Sequence, residues 1–155
     1  MEDRFVVDVA RLKQDGEEFS GVLDDSIYDL KDDYLTPFAG LRYELFVQHI
    51  GRELLVRGSL EQDFTAACSR CGADFDFTVK VPDFLTSVET DEKVEFADLT
   101  DELRECIILT LPTYPVCRED CRGICPTCGR NLNDGPCSCV RDDHDGRWDV
   151  LDNLK

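Results

Sequence analysis

The chain has 155 residues and a mass of 17.6 kDa, the size of a single domain or of one domain with a small appendage. Its 34 Asp and Glu outnumber its 17 Lys and Arg, and the formal charge of −17 excludes a surface that binds nucleic-acid backbones as a whole. No apolar run reaches the roughly 18 residues of a membrane span, and residues 1–10 lack the apolar region of a secretory signal, so we expect a cytoplasmic protein without a membrane partner.

The first 90 residues predict a β-rich core. Five stretches carry the apolar or alternating pattern of strands: residues 5–9, 41–47, 53–60, 64–68 and 74–81. The last is the clearest, since its Phe and Val side chains alternate with Asp, Thr and Lys. Residues 15–33 are rich in carboxylates and predict strand fragments and loops, and Gly51 and Arg52 predict a turn. Strands at such short spacing favour a mostly antiparallel sheet or a small barrel-like core.

Residues 98–111 predict one helix packed on that core. Asp98 is the expected N-cap, and Pro112 ends the segment. Apolar side chains recur at helical spacing in one stripe: Leu99, Leu103, Cys106, Ile107 and Leu111. Because Cys106 lies on this stripe, we expect it to be a small buried apolar residue and not a metal ligand.

The cysteines carry the clearest chemical signal. Nine cysteines in a chain without an export signal favour metal binding over disulfides, since the expected compartment is reducing. The segment Cys125-Pro-Thr-Cys128-Gly129 is a knuckle, a C-x-x-C-G turn whose two thiolates can face one ion. The predicted metal ligands are the six cysteines of this region: Cys117, Cys121, Cys125, Cys128, Cys137 and Cys139.

A second knuckle, Cys68-Ser-Arg-Cys71-Gly72, falls between two predicted strands and therefore at a hairpin tip. The pair can share a metal with the later cysteines, remain a free dithiol or cap the hairpin. We expect one zinc ion whose ligands are drawn from the six later cysteines, whereas two ions would also recruit Cys68 and Cys71. His144 is an alternative ligand, and His49 is expected to be a strand residue.

An all-thiolate site suits structural zinc first and iron second. The sequence has no G-x-G-x-x-G, P-loop, G-x-S-x-G or H-E-x-x-H motif, and its carboxylate runs are typical of solvated surface. We therefore expect a non-enzymatic protein. The two knuckles also resemble those of rubredoxin, so a redox carrier stays open, as does a zinc-ribbon adaptor in another nucleic-acid-processing assembly.

The predicted fold class is α+β, with two regions. Residues 1–115 form a β-rich domain that includes the helix 98–111. Residues 116–155 form a cysteine-rich, zinc-binding segment that closes with a short amphipathic helix around Trp148, Leu151 and Leu154.

The order of these features is distinctive over roughly residues 40–155. It comprises the hairpin knuckle, the acidic-capped helix running into Leu-Pro, the segment from Pro115 to Asn133, Cys137-Ser138-Cys139 and an Arg147-Trp148 tail. This order resembles that of the YceD-like family, the large ribosomal RNA accumulation proteins of bacteria and plastids. The resemblance implies a role in ribosome biogenesis and in the level of large-subunit ribosomal RNA, with a metal that stabilises the structure.

The charge of −17 narrows the expected partners. A basic ribosomal protein, or the pre-ribosomal large subunit that contains it, is steered toward this chain by opposite charge. An RNA contact would have to be local, through the arginines of the strands or of the cysteine-rich segment: Arg42, Arg52, Arg57, Arg118, Arg122, Arg130 and Arg141.

Overall fold

A computed structural model describes residues 3–30, 34–90 and 95–140. In chain order it contains β1 (Val6–Asp8), β2 (Glu17–Leu23), a 3₁₀ turn (Asp25–Tyr28), β3 (Leu35–Ile50), β4 (Glu53–Ala67), β5 (Asp74–Glu89), β6 (Phe96–Asp98) and α1 (Thr100–Thr110). His144 and the predicted C-terminal helix around Trp148 lie outside the described residues.

The main sheet has four antiparallel strands in the order β2-β3-β4-β5, and β1 pairs with β6 in a small antiparallel ribbon. Two long hairpins make most of this sheet, because β3, β4 and β5 follow one another with short turns, the first at Gly51 and Arg52. α1 packs against β5 and β4. The predicted mostly antiparallel sheet with one helix is therefore confirmed.

At eleven residues, α1 is too short to cross a membrane, and no other described helix is long or apolar enough.

The structure corrects the prediction of separate strands at 53–60 and 64–68, which form the single strand β4. The polar residues 61–63 separate the two predicted stretches, but the inward positions stay in phase across them. Leu60 and Phe64 on either side are fully buried, as is Gln62 between them. β3 and β5 also extend beyond the predicted stretches 41–47 and 74–81.

Gln62 can be buried because its amide is satisfied. Its amide nitrogen, Nε2, donates to Asp25 Oδ1 at 3.0 Å and to the Phe38 carbonyl at 2.9 Å. The Tyr28 hydroxyl donates to its Oε1 at 3.2 Å, and burial raises the pKa of Tyr28, so that hydroxyl stays protonated. Asp25 also accepts from the Gly40 N–H at 3.1 Å. This network ties the 3₁₀ turn to β3 and β4.

Gly40 lies in a bulge of β3 where the register against β4 shifts between Phe38 and Arg42. Ala39 and Gly40 have φ of 66° and 77°, the left-handed region that glycine adopts without a Cβ penalty. The bulge places the Gly40 N–H toward Asp25 instead of in the strand ladder.

The predicted helix stripe faces the core: Leu99, Leu103 and Ile107 are fully inaccessible. Cys106, expected to be buried, is half-buried, as is Leu111. The predicted N-cap is wrong by one position, since Leu99 occupies the cap and Asp98 ends β6. Asp98 still accepts from the Thr100 N–H at 3.0 Å. Burial alone would raise the pKa of Asp98, but the hydrogen bonds from Thr100 outweigh it and hold the pKa below its ordinary value.

We predict that Gln62→Ala lowers the free energy of unfolding by about 2 kcal/mol, because the Asp25 carboxylate and the Phe38 carbonyl lose a buried donor. Urea unfolding of the variant measures this. Gln48→Ala, at a half-buried position of β3, is the matched control and should cost under about 0.5 kcal/mol. Equal losses for the two variants would contradict the network.

Candidate metal centre

Eight of the nine cysteines gather into two groups whose sulfur atoms lie within 4.8 Å of one another. The first cluster is Cys68, Cys71, Cys117 and Cys121, and the second cluster is Cys125, Cys128, Cys137 and Cys139. All are free thiols. Each cluster thus offers four soft ligands to one ion, which makes both clusters candidate metal sites.

Each cluster is built on one knuckle, and the two knuckles share the same backbone geometry. The Gly72 N–H donates to the Cys68 carbonyl at 2.8 Å, and the Gly129 N–H donates to the Cys125 carbonyl at the same distance. The N–H of the first cysteine donates to the carbonyl of the residue after the glycine, at 2.9 and 2.8 Å respectively. Both glycines have φ of 71°, which reverses the chain so that the two thiols face one point.

The first cluster joins the tip of the β4–β5 hairpin to the segment that follows α1. The Ser69 N–H donates to the Pro115 carbonyl at 2.8 Å, and the Cys117 N–H donates to Cys68 Sγ at 3.4 Å. Arg70, inside the knuckle, donates from Nη1 to the carbonyls of Glu119 at 2.8 Å and Cys121 at 3.2 Å. The hairpin tip is therefore docked through Cys68 and through the two residues between its cysteines, Ser69 and Arg70.

The backbone also approaches closely at Gly123, whose φ is 71°. A Cβ at this position would lie 2.9 Å from the Arg70 carbonyl oxygen. A glycine here allows the segment after Cys121 to pass against the hairpin tip.

The second cluster lies within residues 125–139 and is braced by a short antiparallel pairing. Ile124 and Asn131 form a β-bridge, and the Leu132 N–H donates to the Gly123 carbonyl at 2.8 Å. Asn133 then connects the clusters: its Oδ1 accepts from the Arg122 N–H at 2.9 Å and its Nδ2 donates to Cys121 Sγ at 3.3 Å. A side chain from the loop of the second cluster thus holds a sulfur of the first.

The sulfur separations fit a tetrahedral thiolate site. Cys68 Sγ and Cys121 Sγ are 3.9 Å apart, and Cys71 Sγ and Cys117 Sγ are 3.8 Å apart. Four sulfurs about 2.3 Å from a central ion would be about 3.8 Å apart at the tetrahedral angle. The first cluster therefore has the dimensions of such a site.

The electrostatics of both clusters favour a bound cation. In the second cluster, the backbone N–H groups of Cys128 and Thr127 lower the pKa of Cys125 to about 6. The neighbouring sulfurs, with that of Cys128 foremost, raise the pKa of Cys139 to about 12. The Cys125 thiolate is thus stabilised, whereas the Cys139 thiolate is repelled by the sulfurs around it. Four thiolates therefore coexist in this cluster only with a positive ion among them.

The first cluster shows the same separation of pKa values. Burial would raise the pKa of Cys68, but N–H donors, the Cys117 amide foremost, outweigh it and hold the pKa at about 6. Burial and the surrounding sulfurs raise the pKa of Cys117 to about 12. The amide of Asn133 lowers the pKa of Cys121, which identifies Asn133 as a residue that supports a thiolate.

The six predicted ligands are thus divided between two groups, and Cys68 and Cys71 complete the first. This grouping matches the alternative in which two ions are bound and Cys68 and Cys71 are ligands. Cys106 lies on α1, outside both clusters, and His49 lies on β3 with its ring nitrogen 3.0 Å from Thr90 Oγ1. Cysteine spacing predicts neither Arg70 nor Asn133 as part of the site, because it identifies ligands and not the residues that position or support them.

We predict that Asn133→Ala weakens metal retention by the first cluster about 10- to 100-fold, since it removes a donor to Cys121 and loosens Arg122. Competition with a chromophoric chelator measures this. Asp134→Ala, an exposed neighbouring change, is the control and should have no effect. A loss confined to the second cluster would contradict the bridging role.

Comparison with curated proteins finds relatives in mycobacteria and plants. An uncharacterized protein of Mycobacterium tuberculosis is 34% identical over 125 residues, which cover 72% of this chain and 60% of the relative. A protein of Mycobacterium leprae is 31% identical over 108 residues, covering 61% of this chain and 50% of the relative. The chain thus spans about 60% of the length of the Mycobacterium tuberculosis relative.

The Arabidopsis thaliana protein called large ribosomal RNA subunit accumulation protein YCED homolog 1, chloroplastic, is 32% identical over 63 residues, which cover 41% of this chain and 20% of the relative. No solved structure matches the chain. The model of one protein family, described as large ribosomal RNA subunit accumulation protein YceD, matches residues 56–155, which include both cysteine clusters. The chain therefore belongs to the YceD family.

Proposed function

We propose that the protein is a non-enzymatic ribosome-biogenesis factor that supports the accumulation of large-subunit ribosomal RNA, with one structural zinc ion in each cysteine cluster. The family match over residues 56–155 carries this proposal. The plant relatives, from Arabidopsis thaliana and Zea mays, are named for that accumulation.

The packing of the cysteine-rich segment supports a structural role for the metal. Between residues 112 and 140, the buried side chains are those of Cys121 and Cys125. A segment with so little apolar burial cannot offset its conformational entropy, and metal binding would supply that free energy. Four thiolates also close a tetrahedral site, whereas catalytic zinc keeps one position open. Zinc is favoured over iron because all-thiolate tetrahedral sites are typical of structural zinc.

Charge favours a basic ribosomal protein, free or within the pre-ribosomal large subunit, as the partner. Eight thiolates with two divalent ions would add about four negative charges to the formal −17. Arg118, Arg122 and Arg130 are exposed near the clusters and offer a local RNA contact, but Arg118 already pairs with Asp120 at 3.4 Å. A cationic protein meets a favourable field over a much larger area.

We predict two zinc ions per chain in protein purified under reducing conditions. Cys68→Ser with Cys71→Ser should remove one ion, and Cys125→Ser with Cys128→Ser the other, while Cys106→Ser, the matched control, keeps both. Elemental analysis gives the count. A red iron protein would support the rubredoxin-like alternative instead.

Hydrogen exchange on the Cys125 and Cys128 double variant tests whether the metal is structural. We expect residues 122–139 to lose protection while β3, β4 and β5 keep theirs, because the strands bury their own apolar side chains. Uniform loss across the strands would contradict this.

We predict that depletion of the protein from the cells that encode it lowers the ratio of large- to small-subunit ribosomal RNA. The wild-type chain should restore the ratio, and the four-serine variant at Cys68, Cys71, Cys125 and Cys128 should not. An unchanged ratio on depletion would reject the proposed function. Co-purification with a non-ribosomal assembly would favour the zinc-ribbon adaptor.

A further inference from the structure

The free edge of β5 borders a groove that the cysteine clusters do not use. β5 is the last strand of the sheet, and no described strand pairs with its other edge. Between this edge and α1 lies a groove of about 360 Å³, lined in part by Val81, Asp83, Leu85, Glu102, Glu105 and Leu109. We call it the β5–α1 groove.

The β5–α1 groove has two exposed apolar side chains. Leu85 is 67% exposed on β5 and Leu109 is 84% exposed on α1, which are high values for leucine. Between them, Val81 is half-buried and Phe84 is buried, so apolar surface extends into the groove. These side chains offer contact area to a partner.

The same groove is acidic. Asp83, Glu102 and Glu105 line it, and Glu102 Oε2 is buried without a hydrogen-bond partner. Buried carboxylate oxygens ordinarily have a donor, and no described residue supplies one to this oxygen. Arg104 Nε, on the same helix, is also buried without a partner. Residues 74–110 as a whole hold eleven Asp and Glu against three Lys and Arg.

A second, larger groove of about 890 Å³ continues the acidic surface. It shares Asp83, Phe84 and Leu85 with the β5–α1 groove and adds Glu18 and Glu44, together with Arg57, whose guanidinium lies over the Phe46 ring. Leu85 therefore stands between two carboxylate-lined grooves.

We infer that the β5–α1 groove binds an extended, cationic segment of a partner protein, with alternating apolar and basic side chains. Its apolar side chains contact Leu85 and Leu109, and its Lys or Arg side chains pair with the carboxylates, Glu102 among them. Its backbone hydrogen-bonds to the free edge of β5, as in other strand additions. Pro82 has no N–H and sits at a register shift, which confines this pairing to residues 83–89.

The inference rests on the proposed function, because it names the surface that meets the basic ribosomal partner. Charge distinguishes this occupant from others. A second copy paired antiparallel through residues 83–89 of β5 would bring Asp83 of one chain opposite Glu89 of the other, and the two chains repel at −17 each. Phosphates of RNA would face the same carboxylates.

Two-dimensional amide NMR of the full, metal-loaded chain tests this with defined peptides. The probe is a seven-residue peptide of alternating lysine and leucine, and its controls alternate lysine with serine and glutamate with leucine. We expect shifts confined to residues 81–89 and 102–109 with the first peptide, and binding at least about tenfold weaker for both controls.

Two double variants separate the contribution of the apolar side chains to peptide binding from that of the carboxylates. Leu85→Ser with Leu109→Ser, and Glu102→Gln with Glu105→Gln, should each weaken binding of the lysine–leucine peptide about tenfold. The matched controls are Ile50→Ser, an exposed apolar residue at the far turn, and Glu95→Gln with Asp101→Asn, which lie outside the groove. These should change binding less than about twofold.

Several outcomes overturn the inference: peptide shifts outside the groove, equal effects of groove and control variants, a dimer abolished by Leu85→Ser, or amide shifts at the groove residues caused by a short duplex RNA added without the peptide. The ribosomal RNA ratio separates this failure from failure of the proposed function. If depletion lowers the ratio and the Leu85 and Leu109 double variant restores it fully, the function stands and the groove does not serve it.

Discussion

The structure depends on the contact between the β4–β5 hairpin tip and the segment that follows α1. Cys68 and Cys71 reach the first cluster from the hairpin, and Cys117 and Cys121 reach it from a segment almost fifty residues later. The Arg70 guanidinium and the Gly123 backbone fill the space between them. Any ion in this cluster would fix the otherwise poorly buried segment onto the sheet.

Asn133 extends that dependence to the second cluster. It lies among the cysteines of the second cluster along the chain, yet its amide donates to Cys121 of the first. The two clusters are therefore structurally connected, since a side chain next to one donates to a sulfur of the other. Their shared hydrogen bonds hold residues 115–133 in one arrangement against the tip of the β4–β5 hairpin, while the β5–α1 groove lies on another part of the molecule.

Local spacing was enough to predict much of the molecule, because adjacent residues determine it. The alternation in residues 74–81, the helix stripe and the two knuckles all follow from periodicity or from turn chemistry. Distant contacts were not predictable in this way. The sequence pattern does not predict that Gln62 is buried within one strand, because Asp25 and the Phe38 carbonyl, which satisfy its amide, are distant along the chain. The division of eight cysteines into two fours likewise requires the docked hairpin.

X-ray absorption at the zinc edge of the purified full chain tests the central claim most directly, because it reports the atoms bound to the metal. The account predicts zinc surrounded by four sulfurs at about 2.3 Å and by no lighter ligand. A shell that mixes sulfur with nitrogen or oxygen would place histidine, carboxylate or water on the ion. That result would contradict two closed, all-cysteine sites.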